Sequence, residues 1–224
     1  MIRVMAESGP EGEKARFWRA FRQSVVMVGV LWVIELVSNT VVDLKQFGVL
    51  PETFSGLVPG VLLAPALHGS PGHLFANSGP LVLLMTAVLF VYPRISKKAL
   101  VALYLVPGLA VWMFGRPEAV HIGASGVVYG LVTFVLVSGV IRRDLRSMAV
   151  AMLAYFLYGS SVAWGVLPGK AGVSWETHLA GAVTGVVLAV LYRNVGRVPP
   201  KRYDWEDDDD DDDLDDGPFR DNSL

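Results

Sequence analysis

The sequence has no cysteine among its 224 residues and only four histidines. Without thiols the chain has no disulfides, no thiolate metal ligands and no cysteine nucleophile. It also lacks the alternation of polar and apolar residues that a membrane β-barrel requires. Charged residues make up only 18% of the chain and fall in a few clusters, which leaves long apolar stretches between them. The long apolar stretches without this alternation indicate a helical membrane protein, and the missing cysteines exclude thiol chemistry.

Six apolar stretches are long enough to cross a hydrocarbon core of roughly 30 Å as helices. The mean hydropathy of +0.46 fits a polytopic membrane protein. We therefore predict an all-α bundle of six transmembrane helices at 24–195, between an N-terminal segment at 1–23 and a tail at 196–224. The long charged segment before the first span indicates that there is no cleavable signal peptide. The predicted spans are Ser24–Val42, His73–Tyr92, Lys98–Phe114, Ser125–Ile141, Arg146–Trp164 and Thr177–Val195.

The positions of lysine and arginine predict the orientation of the bundle. Sixteen of the 19 basic residues precede the first span, follow the last one, or lie in the second-to-third and fourth-to-fifth connections. Only Lys45, Arg116 and Lys170 fall on the other side. Because cytoplasmic loops are enriched in basic residues, we expect a multi-pass protein of the cell membrane with both termini in the cytoplasm.

The two terminal segments and the first outer loop differ in composition. Residues 1–23 predict a loose lead-in that ends in aromatic anchors at the membrane interface. The outer loop at 43–72 is rich in apolar residues, and we expect it to lie partly in the outer leaflet. Within the tail, residues 204–224 carry twelve acidic residues against Arg220, which predicts a disordered, solvated segment. Calcium binding by the tail is a weaker alternative, since its acids are not spaced as in a calcium loop.

The fourth span begins with the segment from Gly123 to Gly126, which contains Ser125. A serine in the first turn of a helix lies beside unpaired backbone N–H groups, and flanking glycines leave room for another chain to approach. Tyr129, four residues on, shares the same helix face. This pattern is typical of an accessible nucleophile, although small residues in membrane helices also serve as packing surfaces.

Other polar residues stand at the outer ends of the second and sixth spans. His73 and Asn77 are four residues apart and therefore lie on one helix face. His178 shares a face with Gly181 and Gly185, which form a surface for close helix packing. The first span also contains an ionisable residue, Glu35, for which structural pairing and a functional role are two alternatives.

These polar residues share one depth in the predicted topology, because each lies near the start of a helix that enters from the outside. Helices packed on glycine faces would bring Ser125 and His178 together as a nucleophile and its general base. His73 and Asn77, with the backbone N–H of Ser125, would donate hydrogen bonds to a tetrahedral oxyanion.

The chain resembles the rhomboid intramembrane serine proteases over about residues 24–195. The resemblance rests on motifs in the family's order and on its helices, and it implies cleavage of single-pass membrane proteins near the outer ends of their spans. It also implies a dyad of Ser125 and His178 with no third acid, Tyr129 packed on the imidazole, and His73 and Asn77 lining the oxyanion hole. No cofactor, metal ion or nucleic acid is expected. The motif residues are His68, His73 and Asn77, then Gly123, Ser125, Gly126 and Tyr129, then His178, Gly181 and Gly185.

The first outer loop lacks a Trp-Arg pair found in many members of the family, which leaves the contacts of that loop open.

Three other functions compete with the protease. An inactive relative would bind transmembrane proteins without cutting them, but such relatives usually lack the serine or the histidine. A small transporter would place its polar groups near the bilayer centre. A zinc site formed by His68, His73 and His178 would leave the serine unexplained.

Overall fold

The computed structural model describes residues 9–168 and 173–196. Within this part of the chain the backbone is helical, without strands apart from one isolated β-bridge between Val49 and His121. The prediction of a helical membrane bundle is confirmed. Its six long helices are α1 (Pro10–Thr40), α2 (Pro71–Val91), α3 (Ser96–Phe114), α4 (Ser125–Arg142), α5 (Leu145–Gly165) and α6 (Trp175–Leu191).

The first five helices are long and apolar enough to span a membrane. Helix α6 has 17 residues and is a shorter apolar helix, at the lower limit for a span. Every predicted span overlaps one of the six helices. The boundaries differ most at α1 and at the end of α6.

Helix α1 starts 14 residues before the predicted Ser24, so the prediction of a loose lead-in is wrong for residues 10–23. Pro10 occupies the first turn, where its missing N–H costs no hydrogen bond. Glu11 and Glu13 follow in the same turn and complement the helix dipole. Residues 1–8 and the acidic tail lie outside the described residues, so the predicted disorder of the tail stays a prediction.

Helix α4 lies at the centre of the bundle. Among the five longest helices its apolar stretch is the most buried, at 67%, whereas that of α5 is the least, at 11%. Helix α4 packs against α6 and α5, while α1 packs antiparallel on α2. Two hydrogen bonds fix the register of that antiparallel pair, from Trp32 to Ser78 and from Thr86 to Ser24.

Glycines bring α4 and α6 into backbone contact. A β-carbon added at Gly181 would collide with the carbonyl of Gly126, and one added at Gly185 would collide with the carbonyl of Gly130. Gly126 is the second residue of α4, directly after Ser125, and Gly181 lies three residues after His178 on α6. The close contact between the two helices therefore begins beside the predicted site.

The predicted outer loop at 43–72 folds onto the end of α3 and the start of α4. It contains a short helical segment at Gly56–Ala66, whose Val61 and Ala64 pack in a small core with Val111 of α3. The β-bridge between Val49 and His121 joins this loop to the segment before α4. The loop thus holds the turn that leads into Ser125.

Candidate active site

Ser125 is the first residue of α4, and its side chain is half-buried. The two preceding N–H groups are held by the outer loop: that of Gly123 donates to the Ala64 carbonyl at 2.8 Å, and that of Ala124 donates to His68 Nε2 at 3.3 Å. Within the described residues the N–H of Ser125 itself has no acceptor. The first turn of α4 therefore offers a free donor beside the hydroxyl.

Gly123 is required by the shape of this turn. Its φ of +119° lies in a region that side chains rarely adopt. A β-carbon at this position would also fall 2.7 Å from Cε1 of His73. The His73 ring thus lies directly against the turn that presents Ser125, which is where an oxyanion donor is expected.

His178 is 8% exposed and is held on two sides. Its Nδ1 lies 2.9 Å from the carbonyl oxygen of Gly165, at the end of α5. Because a carbonyl only accepts hydrogen bonds, Nδ1 carries the proton and Nε2 keeps its lone pair. The Tyr129 ring stacks on the imidazole with 4.0 Å between centroids and 9° between planes. The Gly165 carbonyl and the Tyr129 ring therefore hold the imidazole in one tautomer, with Nε2 free to accept a proton.

The first turns of α4 and α6 lie against each other. A β-carbon on Gly126, next to Ser125, would come within 2.8 Å of Thr177 Cγ2, next to His178. The described part of the chain shows no hydrogen bond between the side chains of Ser125 and His178. Catalytic hydrogen bonds in unliganded enzymes often tighten only when substrate binds.

Asn77 lies one turn deeper on α2 than His73 and is 6% exposed. Its Nδ2 donates to the His73 carbonyl at 3.1 Å. The rings of His73 and His68 meet edge to face at 5.2 Å. Of the two predicted oxyanion donors, His73 therefore contacts the Ser125 turn, whereas the Asn77 amide is engaged with its own helix in this structure.

Gly165 orients His178, a role that no motif in the sequence predicts. Its Cα lies so close to the Tyr129 hydroxyl that an added β-carbon would overlap it. That hydroxyl donates to the Ser161 carbonyl at 2.9 Å. The sequence shows only a glycine at the end of the fifth span. The residues that contact Gly165 lie on two other helices and are far from it in sequence.

A hydrogen-bonded chain at the start of α6 was also missed. The ring Nδ1 of His121 lies 2.5 Å from the Ser174 hydroxyl, which lies 2.6 Å from the Thr177 hydroxyl. Ser174 caps α6 by accepting from the Thr177 N–H. This chain links the segment before Ser125 to the turn that carries His178.

Glu35 belongs to a second hydrogen-bonded chain. Its Oε1 accepts from Asn39 Nδ2 at 2.8 Å, Asn39 Oδ1 accepts from Lys45 Nζ at 3.1 Å, and Lys45 also donates to the Gly69 carbonyl at 3.3 Å. Glu35 is 2% exposed. These contacts fit the structural interpretation of Glu35, since they tie α1 to the turn between His68 and His73.

Glu176 forms an ion pair with Arg116, with 2.5 Å between Oε1 and the guanidinium Nε. Residues two apart on a helix face different directions, and the Glu176 carboxylate is already paired with Arg116. We therefore expect Glu176→Gln to retain cleavage within a few fold of the unmodified protein. The measurement is the cleavage rate of one membrane substrate in detergent, compared with His178→Ala. A loss as large as that of His178→Ala would show that Glu176 acts as a third catalytic acid.

His68 makes stability depend on pH. Burial, with a smaller effect of nearby His73, lowers the pKa of His68 from 6.5 to about 4. Between these values the unfolded chain binds more protons, so the free energy of unfolding should fall as pH drops, by at most about 1.4 kcal/mol per pH unit from this group. His68→Gln keeps an acceptor for the Ala124 N–H but does not titrate. Thermal melting between pH 7 and pH 4.5 should therefore give a flatter profile for His68→Gln, and equal slopes would contradict this role.

Comparison with known proteins places the chain in a family. The model of the Rhomboid domain matches residues 56–195. Uncharacterized proteins of Mycobacterium tuberculosis and Mycobacterium bovis are each 35% identical over 179 residues, which cover 75% of this chain and 72% of the relative. An uncharacterized protein of Mycobacterium leprae is 37% identical over 143 residues, covering 59% of this chain and 55% of the relative. The match covers more than half of the chain and includes Ser125, His178 and the helices that carry them, so this multi-pass membrane protein belongs to the rhomboid family of intramembrane proteases.

Proposed function

We propose that this protein is a serine endopeptidase that cuts single-pass membrane proteins near the outer membrane face with a dyad of Ser125 and His178. The observation that carries the proposal is the anchoring of His178. The Gly165 carbonyl holds Nδ1 and the Tyr129 ring holds the imidazole plane, so a backbone oxygen takes the position of a third acid. Nε2 is then the atom available to accept a proton from Ser125.

The reaction follows from this arrangement. Ser125 Oγ attacks the scissile carbonyl carbon while His178 Nε2 accepts the hydroxyl proton. The carbonyl oxygen becomes an oxyanion, which accepts hydrogen bonds from the Ser125 N–H and His73, and from Asn77 once its amide turns from its own helix. The imidazolium returns the proton to the leaving amine as the C–N bond breaks. Water then attacks the acyl-serine by the same exchange and restores Ser125.

The depth of the site determines the kind of substrate. Ser125 and His178 lie in the first turns of α4 and α6, at the end of the bundle that the charge distribution assigns to the outside. With both termini in the cytoplasm, a substrate helix would meet the dyad near its outer end. Water would reach the dyad from the same side.

The zinc alternative is disfavoured by the contacts of His68. Its Nε2 accepts the Ala124 N–H and so has no lone pair for a metal ion. Its other nitrogen, Nδ1, carries the proton in this tautomer. His68 therefore acts as a hydrogen-bond acceptor for the turn before Ser125 rather than as a metal ligand beside His73 and His178.

Cleavage of defined substrates tests the proposed function. The purified protein in liposomes would be incubated with a panel of single-pass membrane proteins, and the products would be mapped by mass spectrometry. We expect a cut near the outer end of the substrate span. Cuts only at the cytoplasmic end would contradict the orientation, and intact substrates throughout would favour an inactive member that binds without cutting.

Asn77→Ala is expected to slow cleavage without abolishing it. One oxyanion donor is typically worth roughly 10²–10³ in rate, and the Ser125 N–H and His73 would remain. The measurement is the turnover of one substrate in detergent, after thermal melting has shown that the variant is folded. The residual activity should disappear when Ser125→Ala is added. A rate equal to that of the unmodified protein would show that Asn77 does not contribute to the oxyanion hole.

A further inference from the structure

A cavity of about 310 Å³ lies at the end of the bundle opposite Ser125. Helix α4 separates the two sites, with Ser125 at its first position and Arg142 at its last. The cavity is open to the surface between the start of α1, the connection from α2 to α3, the connection from α4 to α5, and the segment after α6. It contains none of the residues assigned to the proposed active site.

Four of the eleven residues that line this cavity are arginines, and none of the eleven is an aspartate or a glutamate. The four are Arg16, Arg94, Arg142 and Arg146. Two carboxylates lie nearby: Glu13 is 2.5 Å from Arg146 Nη2 and 3.9 Å from Arg16 Nη2, and Asp144 is 3.5 Å from Arg142 Nε. Four cations against two anions leave an excess of two positive charges around the cavity.

Two guanidinium groups at the cavity are incompletely paired. Arg142 is 5% exposed, donates through Nη1 to the Val195 carbonyl at 3.0 Å, and lies 5.1 Å above the Tyr92 ring. Its Nε has only the Asp144 carboxylate, at 3.5 Å, and the Nε of Arg16 is buried without a hydrogen-bond partner in the described part of the chain. Buried polar groups are normally paired, so these guanidinium groups favour an anionic ligand.

The chemistry of the donors selects a phosphate. Guanidinium groups present forked N–H donors that match phosphate oxygens, and the unbalanced positive charge favours an anion. Basic pockets between membrane helices are known to hold acidic lipid headgroups. The volume of the cavity also admits more than a single inorganic ion.

The position of the cavity favours a lipid as the source of that phosphate. Phe17 and Trp18, next to Arg16 on α1, are 40% and 55% exposed, and aromatic residues of this kind mark the headgroup level of a membrane. Phe17 also packs edge to face on Phe90, which lines the cavity. Further along α1, Val26 and Val33 are 60% and 61% exposed and provide an apolar surface for acyl chains.

We propose that the four-arginine cavity binds the phosphate of an anionic phospholipid in the leaflet opposite the active site. The bound headgroup would join α1, α2, α4 and α5 at this end of the bundle. Binding should therefore stabilise the folded protein by mass action.

The test compares ligands on the full chain in detergent. Short-chain phosphatidylglycerol, short-chain phosphatidylcholine and inorganic phosphate would be titrated at equal ionic strength, with thermal melting and native mass spectrometry as readouts. We expect phosphatidylglycerol to raise the melting temperature most and to remain bound in the mass spectrum. An equal shift with phosphatidylcholine would overturn the proposal, and an equal shift with inorganic phosphate would overturn the lipid as its source.

Variants test whether the phospholipid binds in the four-arginine cavity. Arg94 and Arg146 are exposed, so the double variant Arg94→Gln and Arg146→Gln should fold. It should bind phosphatidylglycerol at least about tenfold more weakly, the effect of losing one charge-assisted hydrogen bond. Arg19→Gln removes an exposed arginine of α1 that does not line the cavity and should bind as the unmodified protein does. Equal weakening in both variants would show a general charge effect and overturn the site.

The acidic tail is the competing occupant, because it follows Gly196 at the edge of the cavity and carries twelve acidic residues. Truncation after Tyr203 distinguishes the two. The proposal predicts the same affinity for phosphatidylglycerol with and without the tail. Binding that appears only in the truncated chain would identify the tail as the natural occupant and overturn the lipid.

Discussion

Ser125→Ala and His178→Ala are each expected to reduce cleavage of a membrane substrate below detection. Ser125→Ala removes the oxygen that forms the acyl intermediate, and His178→Ala removes the base that accepts its proton. Residues that act as one unit are not additive, so the double variant should be no less active than either single variant. The measurement is cleavage of one single-pass substrate in detergent over a long incubation.

Folding must be separated from chemistry in these variants. Ser125 is half-buried and its side chain makes no hydrogen bond among the described residues, so Ser125→Ala should melt within a few degrees of the unmodified protein. His178→Ala loses the Tyr129 stack and the Gly165 hydrogen bond, and some loss of stability is expected. A folded Ser125→Ala variant that still cut the substrate would disprove the dyad.

Gly181→Ala is expected to have the second largest effect, although Gly181 takes no part in the chemistry. The added methyl group would meet the backbone of Gly126, which cannot move aside as a flexible side chain can. Overpacking of this kind typically costs about 1–3 kcal/mol. It would also push α6 from α4 beside Ser125 and His178, so cleavage should fall by more than the loss of folded protein explains. Thermal melting and the cleavage rate per folded molecule measure the two effects.

Gly29→Ala is the matched control for this prediction. Gly29 lies inside α1, and no atom lies within 4 Å of the position that its β-carbon would take. Alanine favours a helix over glycine by about 1 kcal/mol, so Gly29→Ala should be neutral or slightly stabilising. If Gly181→Ala were as stable and as active as Gly29→Ala, the close approach of α4 and α6 would not be needed for the site.

Much of the fold follows from the sequence because its signals are local. Apolar stretches predicted six helices, and the pairing of Gly181 and Gly185 predicted a close contact for α6, which the structure places on α4. The position of His178 on that glycine face also follows from helix periodicity. The first helix was predicted too short, because charged residues after Pro10 are typical of a loop. In the structure the acidic residues of this turn stabilise the N-terminal end of α1.

The hydrogen-bond partners of the proposed catalytic residues could not be predicted from the sequence. A backbone carbonyl carries no residue-specific signal, so the anchoring of His178 by Gly165 was invisible. The bond from Ala124 to His68 joins residues 56 positions apart and depends on the path of the outer loop. The sequence predicts that the Asn77 amide donates to the oxyanion, whereas in the structure it donates to the His73 carbonyl in the preceding turn. Such contacts depend on tertiary packing rather than on spacing.

Labelling with a serine-reactive fluorophosphonate tests the central claim most directly, because it needs no substrate. The probe forms a covalent bond with a serine only when a neighbouring base activates the hydroxyl. We predict one adduct per chain, located on Ser125 by mass spectrometry, that disappears in His178→Ala and persists in Glu176→Gln. Folded protein that stays unlabelled, or that carries the adduct on another serine, would contradict the dyad of Ser125 and His178.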